Sequence, residues 1–284
     1  MRRVALALTA ALVLPALARA QDADEHVMLD TTFTTGTNRL SVDLQDADLS
    51  VVTGGPGHVR VVISARAPTF AEGHEYFAAQ HFRLVAEQDG ITVSSEPDQR
   101  RWGSSDQGKS LRVEVTVPPT IDVNLATSDG DITVDDITGR ISVSSADGDL
   151  TLGRLTGSSI ALRTSDGDID AKALDAQTVS VRTSDGDLDL GAVSGALTAT
   201  TSDGDLRVTL VKPTSVQLET DDGDIRVAIP RGMGFDVDLS GEDLDTGGLA
   251  IQGQVSEHHV TGTVGGGGVK LVARSRGGDV EVRD

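Results

Sequence analysis

The chain has no cysteine. That excludes a disulfide framework, a lipid-modified cysteine anchor and a cysteine nucleophile. Aromatic residues make up 2% of its 284 residues, too few for an ordinary core, so the interior has to be built from stacked aliphatics. Basic residues are scarce as well: 24 Lys and Arg stand against 44 Asp and Glu, a formal charge of −20. Such acidity argues against nucleic acid as a partner and against unaided binding to anionic lipid. It fits cations, basic partners or plain solubility. No segment after residue 20 is long and apolar enough to cross a bilayer as a helix. The G-x-S-x-G, G-x-G-x-x-G, P-loop and His-Glu-x-x-His signatures are all missing.

The first twenty residues read as a secretory signal peptide. Arg2 and Arg3 form the charged start, Val4 to Leu17 is apolar apart from Thr9 and Pro15, and Ala18-Arg19-Ala20 fits the small-x-small cleavage rule. Cleavage there removes Arg2, Arg3 and Arg19, which takes the charge from −20 to −23. The expected destination is export, to the periplasm, the outer surface or the medium, with no membrane span in the mature chain.

What the sequence does have is a repeat. Asp-Gly-Asp occurs around Gly130, Gly148, Gly167, Gly186, Gly204 and Gly223, at spacings of 18, 19, 19, 18 and 19 residues. Aliphatic residues stand two and four positions after each Gly, as in Ile169 and Ala171, and five and seven before it, as in Leu162 and Ile160. Three before it is always a small hydroxyl residue: Thr127, Ser145, Thr164, Thr183, Thr201 or Thr220. The same register identifies outlying copies at Asp46-Ala47-Asp48 and Gly277-Gly278-Asp279, and a weaker one at Glu242.

Each unit is therefore two alternating segments joined at Asp-Gly, with one apolar face. Two architectures fit. In a hairpin array each Asp-Gly closes a two-residue turn. In a single-stranded parallel β-solenoid each 18–19-residue unit is one coil. The solenoid is favoured, because a lone two-stranded unit cannot bury its face, whereas stacking gives one continuous core. The expected organisation is a signal peptide over 1–20, a β-rich capping part over 21–117, and the regular solenoid with irregular last coils over 118–284. Phe70, Tyr76, Phe77 and Phe82 are expected to cap the open end of the core, and Trp102 to sit as a lid. Glycine at the centre of each turn is explained by a backbone needing positive φ.

The candidate chemistry is the acidic turn. Stacked coils would bring like Asp residues about 4.8 Å apart, a repulsion of roughly 1 kcal/mol per neighbouring pair in water. Each Asp is expected to offset this by accepting backbone N–H bonds in its own turn. A second offset is calcium shared between coils by Asp129, Asp131, Asp149, Asp168, Asp187, Asp205 and Asp224, although the nonapeptide calcium repeat is missing. Calcium is the one cofactor these turns admit. No catalytic residue stands out: every coil carries the same carboxylate pair, and the six His residues lie outside the regular array. His74, Glu75 and His81 lack metalloprotease spacing, and the adjacent His258 and His259 point to opposite faces of a strand.

The Thr-Ser-Asp-Gly-Asp turns, the Val-Pro-Pro preamble at 117–119 and the glycine run Val-Thr-Gly-Thr-Val-Gly-Gly-Gly-Gly at 260–268 together resemble the DUF4097 family, whose members are commonly labelled adhesins. The resemblance covers roughly residues 38–284. It implies a right-handed β-helix on bacterial envelope proteins, and it carries no catalytic residues over to this chain. The expected function is an exported, non-enzymatic, adhesin-like binding module whose partner is an envelope or surface protein or a polysaccharide. An envelope structural or stress-associated module without a ligand is the alternative, and a carbohydrate-active β-helix is a third reading.

Overall fold

The computed structural model describes residues 24–34, 38–87, 90–97 and 108–284; the signal-peptide segment and Trp102 lie outside them. In chain order, β1 (Glu25–Thr34), β2 (Arg39–Asp43), β3 (Ala47–Thr53) and β4 (His58–Arg66) lead to α1 (Phe70–Ala79). Next come β5 (Arg83–Ala86), β6 (Ile91–Ser94), β7 (Ser110–Val117), β8 (Asp122–Ala126), β9 (Ile132–Val134), β10 (Ile137–Thr138) and β11 (Ile141–Ser144). Four long strands form the centre: β12 (Leu150–Arg163), β13 (Ile169–Arg182), β14 (Leu188–Thr200) and β15 (Leu206–Thr220). The chain ends with β16 (Ile225–Ala228), β17 (Phe235–Ser240), β18 (Leu244–Asp245), β19 (Ile251–Val255), β20 (His259–Val264), β21 (Val269–Ser275) and β22 (Val280–Arg283).

The fold is a parallel β-solenoid. The strands on either side of Gly167, β12 and β13, pair in parallel and in repeat register, with Ile160 beside Val179 and Leu162 beside Val181. A hairpin across Asp-Gly would have made that pair antiparallel. The register continues through β13–β14 and β14–β15, so each inward column stacks like on like, and Ile160, Leu162, Ile169 and Ala171 are all buried. A third inward column comes from residues six or seven after the glycines: Ile137, Leu155, Leu174, Val193 and Leu210, each buried. It gives these coils a third aliphatic wall and explains how a chain so poor in aromatics fills a core.

The ends depart from sequential stacking. The coil β2–β3 lies between β8–β9 on one side and β6–β7 on the other. The last coil, β21–β22, is likewise inserted between β15–β16 and β17–β18. Antiparallel strands finish each end: β4 and β1 beyond β7, β5 beyond β6, and β20 then β19 beyond β17.

Helix α1 lies against β1 and β4. Thr69 caps its first turn, its Oγ1 accepting from the Glu72 N–H at 3.3 Å. His81, at φ 46°, follows the last turn and stops the helix in the left-handed conformation. Of the four aromatics around the helix, Tyr76, Phe77 and Phe82 pack on the core, and Phe77 stacks on Phe82 at 5.3 Å. Phe70 does not share that role: it is 56% exposed, edge-on to His26.

Candidate functional site: the stacked acidic turns

Each Asp-Gly-Asp turn is held by a hydroxyl buried three residues before its glycine. The Oγ1 of Thr183 lies 3.1 Å from the Gly167 carbonyl of the preceding coil and accepts the Gly186 N–H of its own turn at 3.3 Å. Thr127, Ser145, Thr164, Thr201, Thr220 and Ser275 repeat the arrangement. Here lies the reason for a small hydroxyl residue in that slot. The position faces the core, where a polar atom is tolerated only with both its donor and acceptor roles filled.

The glycines correct an expectation. None of the six central glycines lies in the left-handed region; the positive-φ glycines among the described residues are elsewhere, as at Gly195 and through Gly265–Gly268. What requires glycine is close stacking. A Cβ on Gly167 would meet the Gly148 carbonyl oxygen under 3.0 Å away, and Gly148, Gly186, Gly204 and Gly223 each press on the preceding glycine in the same way. The turns nest backbone on backbone, leaving no room for a side chain.

The carboxylates correct another. The second Asp of each turn does not cap its own turn. Asp131, Asp149, Asp168, Asp187, Asp205 and Asp224 each accept, through Oδ1, the backbone N–H of the corresponding Asp one coil further along, at 2.8–3.0 Å. Asp48 begins this row, taking the Asp131 N–H at 3.4 Å, and Asp279 ends it, taking the Asp243 N–H at 3.1 Å. The row is a lateral staple, and charge-assisted bonds of this kind offset the mutual repulsion of stacked acids.

The first Asp of each turn behaves differently. The side chains of Asp147, Asp166, Asp185, Asp203 and Asp222 are exposed and have no hydrogen-bond or ion-pair partner among the described residues. They form a second acidic column, one carboxylate per coil, that the sequence reading passed over except for Asp129. Asp129 is also the exception in space. It faces Asp46 of the inserted coil, and burial of Asp46, with the hydrogen bond and charge of Asp129 added, pushes that carboxyl up to about 6.

Cations reach only part of the acidic rows. Arg226 bridges Asp224 at 2.7 Å, Asp205 at 3.2 Å and Glu281 at 3.9 Å, and Arg207 lies 3.4 Å from Asp189. Asp168 and Asp170, in the middle of the stack, have no such partner among the described residues. Among the described residues no group of three or more His, Asp or Glu is arranged to hold a metal ion. His74 and His81 are both exposed. His258 and His259 part company, the first bonding the Glu242 carbonyl at 2.6 Å and the second Asp238 at 3.0 Å. Among the described residues no helix is long and apolar enough to cross a membrane.

A family model described as Toastrack DUF4097 matches residues 37–283. One similar solved structure, from Bacteroides fragilis NCTC 9343 and named a "putative adhesin", is 10% identical. The match covers 90% of this chain and 96% of that one, with a TM-score of 0.51. Another, from Parabacteroides distasonis ATCC 8503 and named a "putative lipid binding protein", is 13% identical over 92% of this chain and 97% of that one, with a TM-score of 0.49. At such identities likeness concerns the fold alone. None of the curated protein sequences matches this chain.

Proposed function

We propose, on the premise that this chain belongs to the DUF4097 family, that it is an exported, non-enzymatic binding module. It offers a stiff acidic edge to a basic partner of the bacterial envelope, a protein or a cationic polysaccharide. The observation that carries this reading is the column Asp147, Asp166, Asp185, Asp203 and Asp222. These carboxylates are exposed and have no partner among the described residues, whereas the adjacent Asp row is consumed by the fold. A repeat selected for solubility alone has no need to space free acids evenly along one edge. At one coil each, about 4.8 Å apart, they match an extended chain bearing regularly spaced cations.

Capture from envelope fractions tests the reading. The wild-type chain is expected to retain a partner that elutes with salt, and the quadruple variant Asp147→Asn, Asp166→Asn, Asp185→Asn, Asp203→Asn to lose it. Equal capture by both, or none by either, overturns it and leaves the envelope module without a ligand. Product release from a polysaccharide panel would instead make the chain a carbohydrate-active enzyme. Calcium shared by Asp129, Asp131, Asp149, Asp168, Asp187, Asp205 and Asp224 is separated by melting curves in calcium and in magnesium at matched ionic strength. A calcium excess abolished by Asp168→Asn with Asp187→Asn would assign the ion to the second-Asp row, and overlapping curves would leave that row as hydrogen-bonding structure.

A further inference from the structure

At the C-terminal end of the stack, β19 is bonded on one side only among the described strands, to β20. Its residues, Ile251-Gln252-Gly253-Gln254-Val255, include no charge and no proline, the devices that usually blunt an open edge. The open edges at the opposite end are protected: β1 carries Glu25, His26 and Asp30, and β5 is four residues long and begins with Arg83. Val255, 67% exposed, is the most exposed large hydrophobic residue among those described.

The segment reads alike in both directions: branched aliphatic, Gln, Gly, Gln, branched aliphatic. A two-fold antiparallel pairing sets each residue opposite its mirror position, so here like meets like along the whole segment. An antiparallel partner centred on Gly253 puts Gly253 opposite its own copy, Gln252 opposite Gln254, and Ile251 opposite Val255. The hydrogen-bonding phase agrees. The Ser256 N–H donates to the His259 carbonyl at 2.9 Å, so residues 256 and 259 form a hydrogen-bonded pair. Bonded and non-bonded pairs alternate along an antiparallel ladder. Gln254 with Thr261 and Gln252 with Thr263 are then the next bonded pairs of the β19–β20 register. That leaves the main-chain N–H and C=O groups of Ile251, Gly253 and Val255 turned outward, and these are the residues that a pairing centred on Gly253 joins to one another. The charge pattern selects the same occupant. A chain of net charge −20 repels its own copies over most of its surface, and β19 is an edge where two copies meet without opposing like charges.

We propose that β19 pairs antiparallel with β19 of a second copy about Gly253, joining two solenoids end to end through one continuous sheet. Sedimentation velocity of the purified chain over a wide concentration range tests this. A reversible dimer is expected. The variant Gln252→Lys with Gln254→Lys sets Lys opposite Lys across the interface and should weaken dimerisation at least tenfold. The variant Gln252→Glu with Gln254→Lys uses the same two positions but sets Glu opposite Lys, and should dimerise at least as tightly as wild type. All three should melt alike when dilute, since both side chains are exposed. A wild-type chain that stays monomeric at every concentration overturns the proposal, and so do two variants that dimerise equally well.

Discussion

Gly167 and Ala47 occupy the same slot of the repeat, yet one admits no side chain and the other carries a methyl group. The difference lies in what stands behind each. Behind Gly167 is the carbonyl of Gly148, so close that a Cβ has no place. Behind Ala47 runs β7, with Leu111 as its neighbour in register. Glycine here answers to the coil next door rather than to its own dihedral angles. The interior of the array and its ends therefore follow different rules while using the same turn.

The sharpest way to break this comparison is Gly167→Ala. Two backbones would have to part to admit the methyl group, so a loss of about 4 kcal/mol or outright failure to fold is expected. Ala47→Gly should cost about 1 kcal/mol or less, mostly chain entropy. Equal effects in urea unfolding would refute the nesting account. Leu162→Ala, deep in the array and 2% exposed, should cost ~2–5 kcal/mol, while Arg163→Ala beside it should stay within ~0.5 kcal/mol.

The hydroxyls come next in size. Thr183→Val keeps the shape but strands the Gly186 N–H and the Gly167 carbonyl contact, and should cost ~1–3 kcal/mol. At the N-terminal end the Ser95 hydroxyl accepts the Gln45 N–H at 3.1 Å, and Ser95→Ala should cost about 1 kcal/mol. The effect at Asp46 is also small, and its sign is reversed. A carboxyl raised from 3.8 to about 6 favours folding while protonated. That contribution is complete below pH about 4 and is lost as pH climbs through about 6. The full shift corresponds to about 3 kcal/mol, and screening at a site open to solvent cuts it to about 1 kcal/mol. Asp46→Asn should raise the melting temperature near pH 7 and flatten its decline between pH 4 and 6. Asp168→Asn, whose Oδ1 acceptor role survives in the amide, should not.

Much of this was legible in the sequence. The positions two and four after each glycine, and five and seven before it, fixed the inward faces, and the outlying copies at Ala47, Gly278 and Glu242 all occupy the stack. The inward column of Leu155, Leu174 and Val193 could have been found by the same count at seven residues, but it falls beyond the strand pair that the alternation defined. The different fates of the two Asp residues in a turn were hidden because they are one residue type, parted only by which of them meets a backbone N–H in the next coil. Order in the stack was hidden for a related reason. A repeat register says which residues face inward and is silent on which copy lies beside which.

The inserted last coil has a consequence for how the chain can be made. The Gly223 carbonyl waits for the hydroxyl of Ser275, and the Asp224 carboxylate waits for an N–H that comes 55 residues later, from Asp279. As the polypeptide emerges from its N-terminus, the growing wall reaches β15 and β16 and then leaves a gap one coil wide, which only β21 and β22 fill. Assembly cannot run as a simple zipper from first residue to last. Among the described strands β17 and β18 join the rest of the stack through β21 and β22, so a chain cut before Val269 would keep that slot open and leave β17–β18 without a coil to pair with.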